Sequence, residues 1–225
     1  MTGFIGAGNM ANAIIKGMVS SGAAEGKDIA VYDIHPEKRE KAAADYGVNA
    51  VSSLEELVSA CSEIVVAIKP YGFEKLLGGL DAQLKEHDPL IISIAAGKTI
   101  DTISSYLSYE PALVRVMPNI NATIGASMSA YCANGRVSAE QKAFVAKLCS
   151  SIGEAVELDE KFFSAFGVIG GRSSCVCLYV HRRACARRSK NRYEQTGRAE
   201  SCGSDRARQR EDDSGERGAP LCACG

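Results

Sequence analysis

The stretch from Thr2 to Ala11, T-G-F-I-G-A-G-N-M-A, constrains the fold more than any other part of the chain. Two apolar residues, Phe4 and Ile5, run into Gly6-Ala7-Gly8-Asn9-Met10-Ala11. A helical pattern follows, with Ala13, Ile14 and Met18 on one face. Glycine at 6 permits a tight strand-to-helix turn, and glycine at 8 keeps the backbone clear for a pyrophosphate. The small residue Ala11 lets the helix lie close to the strand. Backbone N–H groups and the positive end of the helix dipole then face the phosphates. This is the spacing of a dinucleotide-binding turn, for which a glycine-rich turn without a ligand is the bland alternative.

A second strand, Ile29 to Tyr32, ends at Asp33. An acidic side chain at that point accepts both ribose hydroxyls of the adenosine half, which favours NAD and repels a 2′-phosphate. His35, Lys38 and Arg39 follow closely and carry charge to neutralise such a phosphate, so the sequence leaves NAD and NADP open. Asp33 also reads as a helix N-cap ahead of Pro36-Glu37.

Further apolar strands are expected at Val48 to Val51, Glu63 to Ile68, Leu90 to Ala95 and Ala112 to Val116. Helical patterns separate them at Ser53 to Ala60, Phe73 to Lys85 and Ile100 to Leu107. Strand and helix alternate, so a doubly wound α/β sheet follows, and its strands are apolar throughout because both faces are covered. Beyond it the pattern predicts strands at Ser127 to Cys132 and Gly153 to Leu158 around a helix at Ser138 to Leu148. A last helical segment runs from Phe162 to Ile169 and ends at Gly170-Gly171. Ligands of such sheets bind beyond the carboxyl ends of the strands. Ala67-Ile68-Lys69-Pro70, Ala95-Ala96-Gly97 and Met117-Pro118-Asn119 are therefore candidate contacts. Lys69 suits a phosphate or a substrate carboxylate, or is a solvated strand-end lysine. Gly97 marks a backbone approach or a turn. Asn119 suits a nicotinamide amide, or is a turn residue after Pro118.

Four stretches in register, F-I-G-A-G-N-M-A, A-I-K-P, S-I-A-A-G-K-T-I and V-R-V-M-P-N, resemble the pyrroline-5-carboxylate reductase family over Thr2 to about Gly171. The resemblance implies reduction of a cyclic imine to proline by hydride from NADPH or NADH. It implies cofactor contact at Gly6, Ala7, Gly8, Asn9, Met10 and Ala11, at Ala67, Lys69 and Pro70, and at Ala95, Ala96 and Gly97. It also implies a second, helical domain that forms a homodimer and supplies much of the substrate pocket. Another imine or hydroxy-acid reductase, or a non-catalytic nucleotide-binding module, are the alternatives. No side chain of the first domain reads as a catalytic acid or base.

The composition changes abruptly after Gly171. Up to that residue the chain has 3 Arg and 11 Lys; after it, 11 Arg and 1 Lys, with six of the nine cysteines. Only 4 of the last 54 residues are Leu, Ile, Val or Phe, too few to build a core. Neither the Pro-Ala-Phe helix nor the Pro-Gly-Gly-Thr-Thr loop of the family pattern is present there. Codons permitted for Ser174 to Arg188 give Pro-Ala-Phe-Val-Phe-Met-Tyr-Ile-Asp-Ala-Leu-Ala-Arg-Ala when read one base later. Codons permitted for Arg206 to Pro220 likewise give Val-Leu-Gly-Ser-Ala-Lys-Met-Ile-Leu-Glu-Ser-Gly-Glu-His-Pro. The expectation is a frameshift near Gly171. Residues 1–160 then form the dinucleotide-binding domain and 161–171 begin a truncated helical dimerisation domain. Residues 172–225 are a disordered, out-of-frame tail, and the chain as written binds NAD(P)H weakly and turns over little substrate. A nucleic-acid arm at Arg182 to Arg192 lacks interleaved aromatics. Cys175-x-Cys177 and Cys222-x-Cys224 lack the spacing of common zinc sites. No metal, nucleic acid or membrane partner is expected. With neither a secretory signal nor an apolar run of membrane-spanning length, the chain reads as cytoplasmic with reduced thiols.

Overall fold

The structure is a computed structural model and describes residues 1–170. They lie in one unit, Met1–Ser174; a second unit, Cys175–Gly225, falls outside the described residues, as do the expected tail, the basic arm and both Cys-x-Cys pairs. The strands are β1 (Thr2–Ile5), β2 (Ile29–Tyr32), β3 (Asn49–Ala50), β4 (Glu63–Val66), β5 (Leu90–Ser93), β6 (Leu113–Met117), β7 (Ser127–Ala133) and β8 (Gly153–Glu157). The helices are α1 (Asn9–Ser20), α2 (Pro36–Tyr46), α3 (Leu54–Ala60), α4 (Phe73–His87), α5 (Ile100–Ser104) and α6 (Ala139–Ser150). A 3-10 turn, Glu160–Phe162, leads into helix at 163–170.

The eight strands form one sheet in the order β3-β2-β1-β4-β5-β6-β7-β8. β1 to β6 are mutually parallel, as the alternation of strands and helices predicts. β7 runs antiparallel to β6, and β8 parallel to β7. The chain builds outward from β1 to β3, then returns to the other side of β1 for β4. That reversal opens a crevice above the carboxyl ends of β1 and β4, where ligands of doubly wound sheets bind.

Successive strand residues serve opposite faces, as the pleat requires. Phe4, Val31, Val65, Ile92 and Val114 join α1 and α6 in one core. Ile5, Ala30, Ile64, Ile91 and Leu113 join α3, α4 and α5 in the other. This is why the sequence shows unbroken apolar runs rather than alternation. Some elements are shorter than expected. β3 retains two residues, with Val48 and Val51 buried beside it. β5 stops at Ser93, whose Oγ accepts the Ala95 N–H at 3.3 Å and starts a turn. α5 stops at Ser104 and continues as single turns through Leu107. Ser138 caps α6 through a reciprocal capping box with Gln141.

Cys61, Cys132 and Cys149 are free and buried. Burial pushes the Cys61 and Cys132 thiols up to about 11 and the Cys149 thiol up to about 12. At pH 8 all three are neutral and poor nucleophiles. Iodoacetamide at pH 8 is expected to leave the peptides bearing them unmodified in the native chain and to label them in guanidinium. Rapid native labelling of any of the three, read by peptide mass spectrometry, contradicts that burial.

Candidate functional site

β1 delivers Gly6 into the crevice between β2 and β4. The Gly6 N–H donates to the Tyr32 carbonyl at 2.7 Å, and the Ala67 N–H donates to the Ile5 carbonyl at 2.9 Å. Gly6 has φ +104°, and a Cβ there would lie 2.9 Å from the Ala67 carbonyl oxygen. Its lack of a side chain is therefore demanded from inside the protein. Gly8 differs. Its φ of −77° suits any residue, and a Cβ there would meet nothing within 4 Å. The protein leaves that space open on its outer side. α1 begins at the next residue with no side-chain cap and no acidic residue in its first turn. The first-turn N–H groups, which no helix bonds internally, are thus free to meet an anion.

Asn12 braces the turn from one helical turn on. Its Nδ2 donates to the Ala7 carbonyl at 3.0 Å, and its Oδ1 is a buried acceptor with no hydrogen-bond partner among the described residues. Unpaired helix N–H groups and an unfilled space above Gly8 together fit a ligand that carries phosphates. Ala11 is 1% exposed and lies on the face of α1 that packs into the core.

Asp33 stands at the end of β2, 8% exposed. Its Oδ2 accepts the Ala7 N–H at 2.8 Å and its Oδ1 accepts the His35 N–H at 2.9 Å. The Arg39 guanidinium donates to the Asp33 carbonyl at 3.3 Å. The N-cap of α2 is His35, without a side-chain cap, so Asp33 is not the helix cap that its place before Pro36 allows. It ties the glycine turn to the end of β2.

Strand order puts the ends of β2, β1, β4 and β5 in one row. Asp33, the turn Gly6 to Ala11, Ala67-Lys69-Pro70 and Ala95-Ala96-Gly97 therefore share one edge of the sheet. Lys69 is exposed and precedes the 3-10 turn Pro70–Gly72. Ala95 is buried, Ala96 and Gly97 are exposed, and Gly97 has φ +76°. Asn119, beyond β6, is buried and already engaged. Its N–H donates to Ser127 Oγ at 3.3 Å, its Oδ1 accepts the Asn121 N–H at 3.2 Å, and its Nδ2 donates to the Gly170 carbonyl at 3.1 Å.

A cavity of about 540 Å³ opens beside the glycine turn between α1 and α2; Gly8, Asn9, Asn12, Lys16, Lys38 and Lys41 are among its lining. Asn12, Lys16 and Lys41 carry no sequence motif. The one local signal is asparagine inside a helix, where it is a poor helix former and tends to bond nearby backbone. A larger cavity, about 670 Å³, lies beside β7 and β8 and shares no residue with the turn. The chemistry follows the turn rather than the larger volume. Among the described residues no group of three or more His, Cys, Asp or Glu is placed to hold a metal ion, and no helix is long and apolar enough to cross a membrane.

Residues 1–97 match the family described as NADP oxidoreductase, coenzyme F420-dependent. The chain is 33% identical over 185 residues to a pyrroline-5-carboxylate reductase of Escherichia coli K12, covering 82% of this chain and 68% of that protein. It is 32% identical to one from Pisum sativum, covering 82% and 66%. In structure it is similar to a pyrroline-5-carboxylate reductase of Coxiella burnetii, with TM-score 0.79 and 23% identity over 91% of this chain and 78% of that one. It is also similar to the Plasmodium falciparum enzyme with NADP bound, with TM-score 0.72 and 26% identity over 92% and 79%. A glycine turn at the switch point of a doubly wound sheet, and a relative one-third identical over two thirds of its length, place the chain in the pyrroline-5-carboxylate reductase family.

Proposed function

We propose that this chain carries the cofactor domain of an enzyme that reduces 1-pyrroline-5-carboxylate to proline with NAD(P)H, the last step of proline biosynthesis. The observation that carries the cofactor half is the pair of glycines: Gly6 is required by the protein's own backbone, whereas the space above Gly8 is required by nothing in the protein. The substrate half rests on family membership. Bound NAD(P)H supplies a hydride to the C=N carbon, while the ring nitrogen takes a proton from solvent or solvent-linked groups. The chain's own residues bind and orient. The first turn of α1 would hold the pyrophosphate, Asn12 braces the glycine turn through the Ala7 carbonyl, and Ala67, Lys69, Pro70, Ala95, Ala96 and Gly97 would line the path toward the nicotinamide. Asn119 holds the backbone that ends this row.

Residues 1–160 are the dinucleotide-binding domain in this reading, and the helix at 163–170 opens a helical domain through which the intact protein forms a homo-oligomer. Phe162 and Val168 are 48% and 62% exposed at that point, apolar surface that further helices bury. A cytoplasmic setting fits the three free cysteines. Residues 172–225 are the product of a shifted reading frame, as their composition argues. The test compares this chain with a form read one base later after Gly171, following NADPH oxidation at 340 nm on added pyrroline-5-carboxylate. Turnover by the second form and almost none by the first is expected. Equal turnover by both refutes the shifted frame, and none by either refutes the reductase.

A further inference from the structure

The helix at 163–170 lies along β6 in matched register. Alternate residues of the strand and its continuation, Arg115, Met117 and Asn119, meet it at successive turns. The Arg115 guanidinium stacks over the Phe163 ring, 4.7 Å from its centroid. A Cβ on Gly167 would lie 2.6 Å from Met117 Cε. Asn119 Nδ2 donates to the Gly170 carbonyl at 3.1 Å. Two residues of strand and three or four of helix cover similar lengths, so these contacts hold the helix parallel to the strand. Glu160, in the 3-10 turn that leads into the helix, is fixed along with it.

From that place Glu160 reaches a candidate cofactor contact. Its Oε1 accepts Arg115 Nη1 at 2.9 Å and the Ile100 N–H at 2.8 Å. Ile100 is the first residue of α5, shortly after Gly97. The Ala95-Ala96-Gly97 turn has an open outer side: Ala96 and Gly97 are exposed, and a Cβ on Gly97 would meet nothing within 4 Å. The other side-chain hydrogen bonds about this turn are local. Ser93 Oγ accepts the Ala95 N–H, Lys98 Nζ donates to the Tyr106 hydroxyl, and Thr99 Oγ1 accepts the Thr102 N–H, none spanning more than 8 residues. Glu160 bonds from 60 residues away. The local bonds shape the turn. The distant one fixes where its exit stands relative to β6.

We infer that Glu160 is a positioning residue for the nicotinamide end of the cofactor: through the Ile100 N–H it holds the Ala95-Ala96-Gly97 turn, and it ties that turn to the helix at 163–170. The inference rests on the dinucleotide reading of the glycine turn. It is tested on the full chain by calorimetric titration with NADPH and with 2′-phospho-ADP-ribose, the same molecule without nicotinamide. Thermal unfolding is recorded for each variant. The unaltered chain is expected to bind both, NADPH more tightly. Glu160→Ala weakens NADPH about tenfold, the scale of one lost hydrogen bond, and the second probe less than about twofold. Glu160→Gln keeps an acceptor for both donors and loses the charge that pairs with Arg115. It recovers most of the NADPH binding but not the unfolding temperature, a separation that a purely structural role does not produce. Ile100→Pro deletes the N–H and keeps an apolar side chain. Proline suits the first helical position, and Thr99, with φ −82° and ψ 163°, has the extended backbone that precedes proline. This variant weakens NADPH selectively with the Arg115–Glu160 pair intact, and it decides should Glu160→Ala not fold. Equal losses of both probes in these variants, or unchanged NADPH binding, overturn the inference, as does equal affinity of the unaltered chain for the two probes. If the unaltered chain binds neither probe, the dinucleotide reading itself falls.

Discussion

Replacing Gly8 with valine is expected to weaken NADPH binding about a hundredfold or more, ~2.7 kcal/mol, while shifting thermal unfolding by only a few degrees. The two effects separate because they have different origins. The Gly8 backbone has φ −77° and ψ 178°, an extended conformation that β-branched residues favour, and a Cβ there meets no atom within 4 Å. The fold therefore loses only the helix-capping preference of glycine over valine, of order 1 kcal/mol or less. Isopropyl bulk over the first turn of α1 instead fills the space in which a pyrophosphate approaches backbone N–H groups. Gly6→Ala behaves in the opposite way. The positive φ and the Ala67 carbonyl 2.9 Å from the new Cβ strain the protein itself, so stability falls by about 2–3 kcal/mol, and binding falls with it. Titration of NADPH fluorescence and thermal unfolding on the two variants check this. Unchanged binding by Gly8→Val means that no pyrophosphate passes over the turn.

The contrast between these glycines also marks what the sequence disclosed. Both are legible as spacing, because a turn between strand and helix is a local event. The buried runs at Ile64 to Val66 and Leu90 to Ile92 are legible for the same reason, and their continuity correctly implies a sheet covered on both faces. Partners brought together from afar are not legible. Asp33 meets Ala7 only because β2 lies beside β1. Its carboxylate had two local readings, ribose ligand or helix cap, and the fold supplies a third. Asn119 likewise joins Gly170, 51 residues on. The antiparallel turn of β7 against β6 comes from the short connection through Ile120–Ile124, too brief for the crossover that a parallel strand needs. Single-residue propensities carry none of this.

Glu160→Ala is expected to destabilise the domain by about 3 kcal/mol, which lowers the unfolding temperature by roughly 6–12 °C for a domain of this size. Arg115 projects from β6 with its side chain 8% exposed, and its Nη1 lies 2.9 Å from Glu160 Oε1. The same oxygen accepts the Ile100 N–H at 2.8 Å, at the first residue of α5. The guanidinium also stacks over the Phe163 ring, 4.7 Å from its centroid. One carboxylate thus joins β6, the start of α5 and the root of the helix at 163–170. Removing it strands a buried guanidinium whose Nε already lacks a hydrogen-bond partner among the described residues. Glu160 is itself 27% exposed, so water recovers part of the loss, and the figure sits at the low end for a broken buried pair. Arg115→Met combined with Glu160→Gln removes both charges and keeps the volume, and is expected to be less destabilised than Glu160→Ala alone. Chemical denaturation of the three variants measures the coupling. A loss below about 0.5 kcal/mol in Glu160→Ala would make the pair an ordinary surface contact. The expected loss makes it the joint that fixes where the last described helix leaves the sheet.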